Sequence, residues 1–283
     1  METTRFVHLS DVHLSRQGSD DASLFSDTLA NLDFALAWIR SLRTPPDFVI
    51  VSGDLTNHGH EESFHVLRDR LASLGLPVLY ALGNHDERRA FYAGVLGEPE
   101  RGLAPYDHDV AIAGVHVVTL DSSTPGTHVG GLDDEQFVWL ADALARHPEL
   151  PKLIVVHHPP APVPHPVFEF LNLRAGDGER LAAALAGANV LGVLSGHVHH
   201  DQFMIWRGLP FIVSAGLHNV TDISAEDDLR AIRGGSFGLG SVVEGALRYV
   251  SIPLPGDGAE VHKIPVDTIR RRIESPAHAP AGA

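Results

Sequence analysis

Short apolar runs that stop at once in aspartate, asparagine or histidine constrain this chain more than any other feature. Residues 6–9, 48–51, 78–82, 115–120, 153–156 and 190–194 are brief, rich in Val, Ile and Leu, and bounded by polar residues or glycine. Such runs read as buried strands. Helical patterns lie between several of them, at 24–42, 61–74, 87–96, 133–145 and 178–185. The first aligns Leu29, Leu32, Ala35, Leu36 and Ile39 on one stripe. Asp133 and Asp134 open another, at its positive end. Residues 111–120, folded about Ala113-Gly114, read as a hairpin. The expected fold is α/β: a layered sandwich of mixed sheets flanked by helices, with a loop or small cap over a site.

The chemistry sits at the junctions. Asp11-Val12-His13 follows the first run, Gly53-Asp54 the second and Gly83-Asn84-His85-Asp86 the third. His157-His158-Pro159-Pro160 follows the run ending at Val156, and Gly196-His197-Val198-His199 the run ending at Leu194. Open α/β sheets bind ligands at the carboxyl ends of their strands. Singly, these pieces say little: Asp-x-His and Gly-Asp are commonly turns, and His-His-Pro-Pro commonly precedes a rigid loop. Gly-His-x-His is stronger, because two imidazoles two residues apart at a strand end share a side. All of them together, each directly after an apolar strand, leave the bland reading little room.

Composition narrows the partners. The 283 residues suit one large domain, and 21 basic against 36 acidic side chains give −15. So acidic a surface repels polyanions, so no nucleic-acid partner is expected, although cations bound in one pocket can still admit a small anion. With no cysteine, disulfides, thiolate metal sites and cysteine nucleophiles are excluded. No run approaches the roughly 18 apolar residues of a membrane span, and residues 1–5 lack a leader pattern. The expectation is a cytoplasmic protein with no membrane partner. The catalytic domain is expected over 1–265, with a lid-like loop at 159–178 and a C-terminal tail at 266–283.

The junction motifs, with Thr119-Leu120-Asp121-Ser122 and the helix from Gln136 after Gly131-Leu132, resemble the calcineurin-like metallophosphoesterase superfamily over about residues 6–216. Within it the chain is most similar to class III cyclic nucleotide phosphodiesterases and glycerophosphodiesterases. The resemblance implies two divalent cations, one held by Asp11, His13, Asp54 and His199, the other by Asp54, Asn84, His157 and His197, with Asp54 bridging. Mixed imidazole and oxygen ligands suit Mn, Fe, Zn or Co. It also implies a small phosphodiester substrate, such as a cyclic nucleotide (cAMP) or a glycerophosphodiester, bound at Asn84, His85 and His199 and attacked by hydroxide held on the metals. Two dications less two carboxylates and one hydroxide leave about +1, matching a diester monoanion. His85, oriented by Asp86, is the candidate proton donor to the leaving alkoxide. A homodimer is an expectation from the resemblance alone.

The remaining histidines divide. His158, His200 and His218 are expected to support the ligands. His8, His58, His60, His65, His108, His116, His128, His147, His165 and His262 are read as ordinary surface or core residues. Phe168, Phe170 and Leu171 of the 159–178 loop are expected over the leaving group, and residues 222–240, charged and then glycine-rich, are read as mobile. Three alternatives stand beside the diesterase. A nuclease wants a basic groove, and a phosphomonoesterase wants extra cations, for which only Arg88 and Arg174 lie near the motifs. A non-catalytic scaffold would show lost ligands, and none is lost.

Overall fold

Period-two alternation in the strands sorts the core into layers in a computed structural model that describes residues 3–16, 21–160, 165–168 and 171–274. The strands are β1 (Thr4–Leu9), β2 (Phe48–Ser52), β3 (Val78–Ala81), β4 (His108–Ile112), β5 (Val115–Leu120), β6 (Lys152–Val156) and β7 (Val190–Ser195). They continue as β8 (Gln202–Trp206), β9 (Leu209–Val213), β10 (Val220–Thr221), β11 (Asp228–Ile232), β12 (Ser236–Val243), β13 (Ala246–Pro253) and β14 (Glu260–Pro265). One sheet runs β13-β12-β1-β2-β3 and the other β4-β5-β6-β7-β9-β8. Phe6, Phe48 and Ile50 from the first meet Val117, Leu153 and Val155 from the second, forming the layer between the sheets.

The alternate residues face outward. Val7, Leu9, Val49 and Val51 pack under α1 (Thr28–Ser41) and α2 (Glu61–Ala72). The chain from α3 (Arg88–Phe91) into a π-helical turn over Tyr92–Leu96 packs in the same cluster through Phe91 and Tyr92. Val118, Leu120, Ile154 and Val156 pack under α4 (Asp134–Arg146) and α5 (Ala175–Leu185). Each such side chain, taken fully out of water, contributes about 1.5–3 kcal/mol. Asp133 opens α4 through a capping box with Gln136. The mixed α/β sandwich expected from the sequence is what forms.

Two segments differ from their reading. The glycine-rich stretch is not a mobile loop: β12 pairs antiparallel with β1 inside the first sheet. Its glycines allow close packing, since a Cβ on Gly240 would fall 2.1 Å from the Phe6 ring. Residues 266–274, read as tail, form α6 (Val266–Glu274), with Val266 and Ile269 packed against Val167 and Phe168. A third sheet, β10-β11-β14, precedes that helix. Among the described residues, no helix is long and apolar enough to cross a membrane.

Candidate metal centre

Every motif lands at the carboxyl end of a parallel strand. Asp11 and His13 follow β1, Asp54 follows β2, and Asn84 and His85 follow β3, whereas His157 follows β6 and His197 and His199 follow β7. The backbone there is held in the left-handed region, with φ of 48° at Asp11, 48° at His13, 47° at Asp54, 73° at His197 and 50° at His199. The other non-glycine residues described with positive φ are Ala113, Arg207 and Glu244, each preceding a glycine in a hairpin turn. Such conformations cost on the order of 1–3 kcal/mol each and persist where surrounding structure enforces them. Here Asp11 N–H donates to the Gly53 carbonyl at 3.0 Å and His13 N–H to the Asp54 carbonyl at 2.9 Å. The motif glycines make room for ligands from other motifs. A Cβ on Gly83 would meet Asp54 Oδ1 at 2.1 Å, and one on Gly196 would meet Asp11 Oδ2 at 2.3 Å.

The side chains converge. Asp11, His13, Asp54 and His199 present ligand atoms all within 4.8 Å of one another, and so do His157, His158 and His197. Asp54 Oδ2 lies between the two groups, 3.5 Å from His13 Nε2 and 3.3 Å from His157 Nε2. Outer partners set the rings. His13 Nδ1 pairs with Asn57 Oδ1 at 3.0 Å, and His157 Nδ1 with the Ser52 carbonyl at 2.8 Å, turning both Nε2 atoms toward Asp54. His197 is reversed, with Nε2 on the Leu171 carbonyl at 2.9 Å. Metal-ligating imidazoles are commonly oriented this way. His157 Nε2, His199 Nδ1 and Asn84 Oδ1 are buried without a hydrogen-bond partner. Two buried carboxylates beside these imidazole nitrogens and the amide oxygen make a mixed oxygen and nitrogen donor set that suits a borderline divalent cation.

Charge in the cage shows the same demand. Burial holds His13 and His197 well below the usual imidazole range, so both are neutral. Burial also works to lower His157, but the Asp54 and Asp11 carboxylates overcome it and raise the ring to about 9. Asp11 is raised, chiefly by burial. Burial and then the Asp54 charge push Asp86 up to about 7.

The structure corrects several readings around this core. Asp86 does not orient His85: its carboxylate accepts from the backbone N–H groups of Leu55, Thr56 and Gly83. His85 is set instead by its Nδ1, 2.9 Å from the Asn57 carbonyl, and its own N–H donates to Asp54 Oδ1 at 3.0 Å. His158 is buried beside His197, and His218 beside His13, at ring-centroid distances of 4.4 and 4.7 Å. His200 is half-buried and does not line the pocket. His58, His128 and His262, read as ordinary, do line it, and Asn84 Nδ2 lies 2.9 Å from His128 Nδ1. Asn57 was missed altogether, for it belongs to no motif. Arg88 is occupied by Asp121 and the Leu103 and Ser123 carbonyls, and Arg174 by Asp177. Phe168, 4% exposed and packed beside Val167, lines the pocket together with Leu171, and Phe170 lies outside the described residues. A pocket of about 350 Å³ opens over His13, Asp54, Asn84, His197 and His199, and its described lining includes no Arg or Lys. A larger cleft of about 610 Å³ lies between β13 and the β9-β8 edge and contains none of the ligand residues.

Comparison with known proteins agrees with this architecture. The family model for calcineurin-like phosphoesterases matches residues 4–201. A probable cyclic nucleotide phosphodiesterase of Rhodococcus erythropolis is 32% identical over 275 residues, covering 95% of this chain and 90% of the relative. A probable glycerophosphodiester phosphodiesterase of Arcobacter nitrofigilis is 29% identical, covering 80% and 82%. Among solved structures, a purple acid phosphatase from yellow lupin shares the fold with a TM-score of 0.60 at 13% identity, covering 93% of this chain and 53% of that one. The chain therefore belongs to the calcineurin-like phosphoesterase family and is a phosphoric ester hydrolase.

Proposed function

We propose that this chain hydrolyses a small phosphodiester, a 3′,5′-cyclic nucleotide or a glycerophosphodiester, using two divalent cations held by Asp11, His13, Asp54, Asn84, His157, His197 and His199. The observation that carries the reading is the pocket: His13, Asp54, Asn84, His197 and His199 of this set line it, and its described lining lacks the Arg or Lys that a phosphate dianion would call for. The names of the relatives point the same way. Bound cations would supply Lewis acidity and lower the pKa of a water toward neutrality.

The protein's own residues do the rest. Asp54 is fixed by the His85 N–H, so its Oδ2 stays between His13 and His157. Asn84 and His199 both line the pocket, which supports a role for them in holding the phosphoryl oxygens. His85 has its Nδ1 committed to the Asn57 carbonyl, so Nε2 is the atom left for substrate. In this role the ring is the imidazolium: Nδ1–H stays on the Asn57 carbonyl, the Nε2 proton passes to the leaving alkoxide oxygen as the P–O bond breaks, and the ring is left neutral. His85→Ala is therefore expected to slow alkyl diesters far more than nitrophenyl diesters, whose leaving group needs no proton. Equal losses on both would remove that role.

The test of the class is hydrolysis of bis-nitrophenyl and mono-nitrophenyl phosphate by metal-stripped protein refilled with Mn, Zn, Fe or Co, with Asn84→Ala as control. Diester turnover that requires metal and Asn84 is expected. Turnover of the monoester alone would make the chain a phosphatase.

A further inference from the structure

The ligand side chains all lie within residues 11–199, inside the segment that the family model matches, 4–201. The opposite wall of the pocket does not. Leu229 and Ala231 of β11 and His262 of β14 line it, and all three lie beyond that segment. The sheet carrying them is amphipathic. Ala231 pairs with His262 and Leu229 with Ile264 in register, which puts these side chains on one face. The alternate residues, Asp228, Arg230 and Lys263, form ion pairs on the other: Arg230 with Asp222 and Glu260, and Lys263 with Asp228.

Phe25 completes the wall. Its ring stacks on His262 at 4.4 Å and 10°, and on His218 at 5.5 Å and 11°. A parallel His218–Phe25–His262 stack thus runs from beside His13 to the small sheet. No carboxylate lies beside these rings in the described lining, so a cationic head group finds no counter-charge there. The only carboxylate in the described lining is Asp54, on the floor. Flat rings beside Leu229 and Ala231 suit an uncharged planar group instead.

We propose that the third sheet is the selectivity wall of this enzyme, with Phe25, Leu229, Ala231 and His262 receiving the heteroaromatic base of a cyclic nucleotide. The inference rests on the phosphodiesterase reading above. It places the base against β11, β14 and Phe25, of which only Phe25 falls inside the matched segment, rather than against the 159–178 loop that was expected over the leaving group.

The experiment compares kcat/KM for cyclic AMP with that for the same ribose 3′,5′-cyclic phosphate lacking its base, using the full-length metal-loaded enzyme. The wild type should favour cyclic AMP by at least about tenfold, the scale of one base–aromatic contact. His262→Ala, and separately Ala231→Leu, which crowds the wall without removing a ring, should bring that ratio close to unity. His262→Phe should keep it, and Lys263→Ala, on the opposite face, should leave it alone. A wild type that does not distinguish the two substrates overturns the proposal, as do variants that lower both equally. Hydrolysis of nitrophenyl diesters but of neither cyclic phosphate would sink the base site and leave the phosphodiesterase reading standing. Loss of all diester turnover in the wild type would sink that reading itself.

Discussion

Asn57 joins parts of the site that are far apart in sequence. Its Oδ1 meets His13 Nδ1, its Nδ2 donates to Asp21 and Ser23, and its carbonyl meets His85 Nδ1. Asn57→Ala should leave the fold intact and weaken metal binding about 10–100-fold, the usual effect of losing a group that orients a ligating imidazole. Titration of metal into the stripped variant checks this, and unchanged affinity would show that His13 needs no such support. A second residue-scale effect concerns stability. His8 is fully buried between Ser52 and Tyr249, and burial, against a weaker pull from Asp201, drives its pKa down to about 3. In the unfolded chain it titrates near 6.5. The folded state refuses a proton that the unfolded state accepts, so this contribution is full above about pH 6.5 and is lost as pH falls from there toward 3. The urea midpoint should drop between pH 7 and pH 5, and less steeply in His8→Gln. Equal slopes would assign the loss to other groups. Neither Asn57 nor His262 could be picked from the sequence, since each owes its role to side chains more than 25 positions away.

At the scale of elements, the strand-end turns were legible because their composition is so unlike the strands they end. Five apolar runs cut short by Asp, Asn or His leave no core position for those side chains except a shared one. The strand β12 was not legible. Glycine-rich sequence ordinarily signals flexibility, whereas here the missing Cβ atoms admit the Phe6 and Tyr249 rings against the strand. Gly240→Val would push two methyl groups into Phe6, and overpacking of this kind costs about 1–3 kcal/mol. Its guanidinium midpoint should fall accordingly, with turnover at 25 °C retained. A variant as stable as wild type would mean the sheets can part without cost.

At the scale of the whole molecule, the two large sheets bring their strand ends together over a buried pair of carboxylates, Asp11 and Asp54, so metal occupancy is expected to couple to stability. Stripping the metals should lower the melting temperature, and refilling to about 100 times Kd should restore roughly 2.7 kcal/mol per site. The same midpoint with and without chelator would sever the cage from the fold. On its own, the sequence determined the fold class, the layering and the identities of the converging residues, because alternation and abrupt polar junctions are local properties of the chain. Only the tertiary structure decided which ring faces which atom, that Asp86 serves the backbone rather than His85, and that residues beyond 216 wall the pocket. Those outcomes depend on contacts between segments as much as two hundred residues apart and more, as at Phe25 and His262, and no local pattern encodes them.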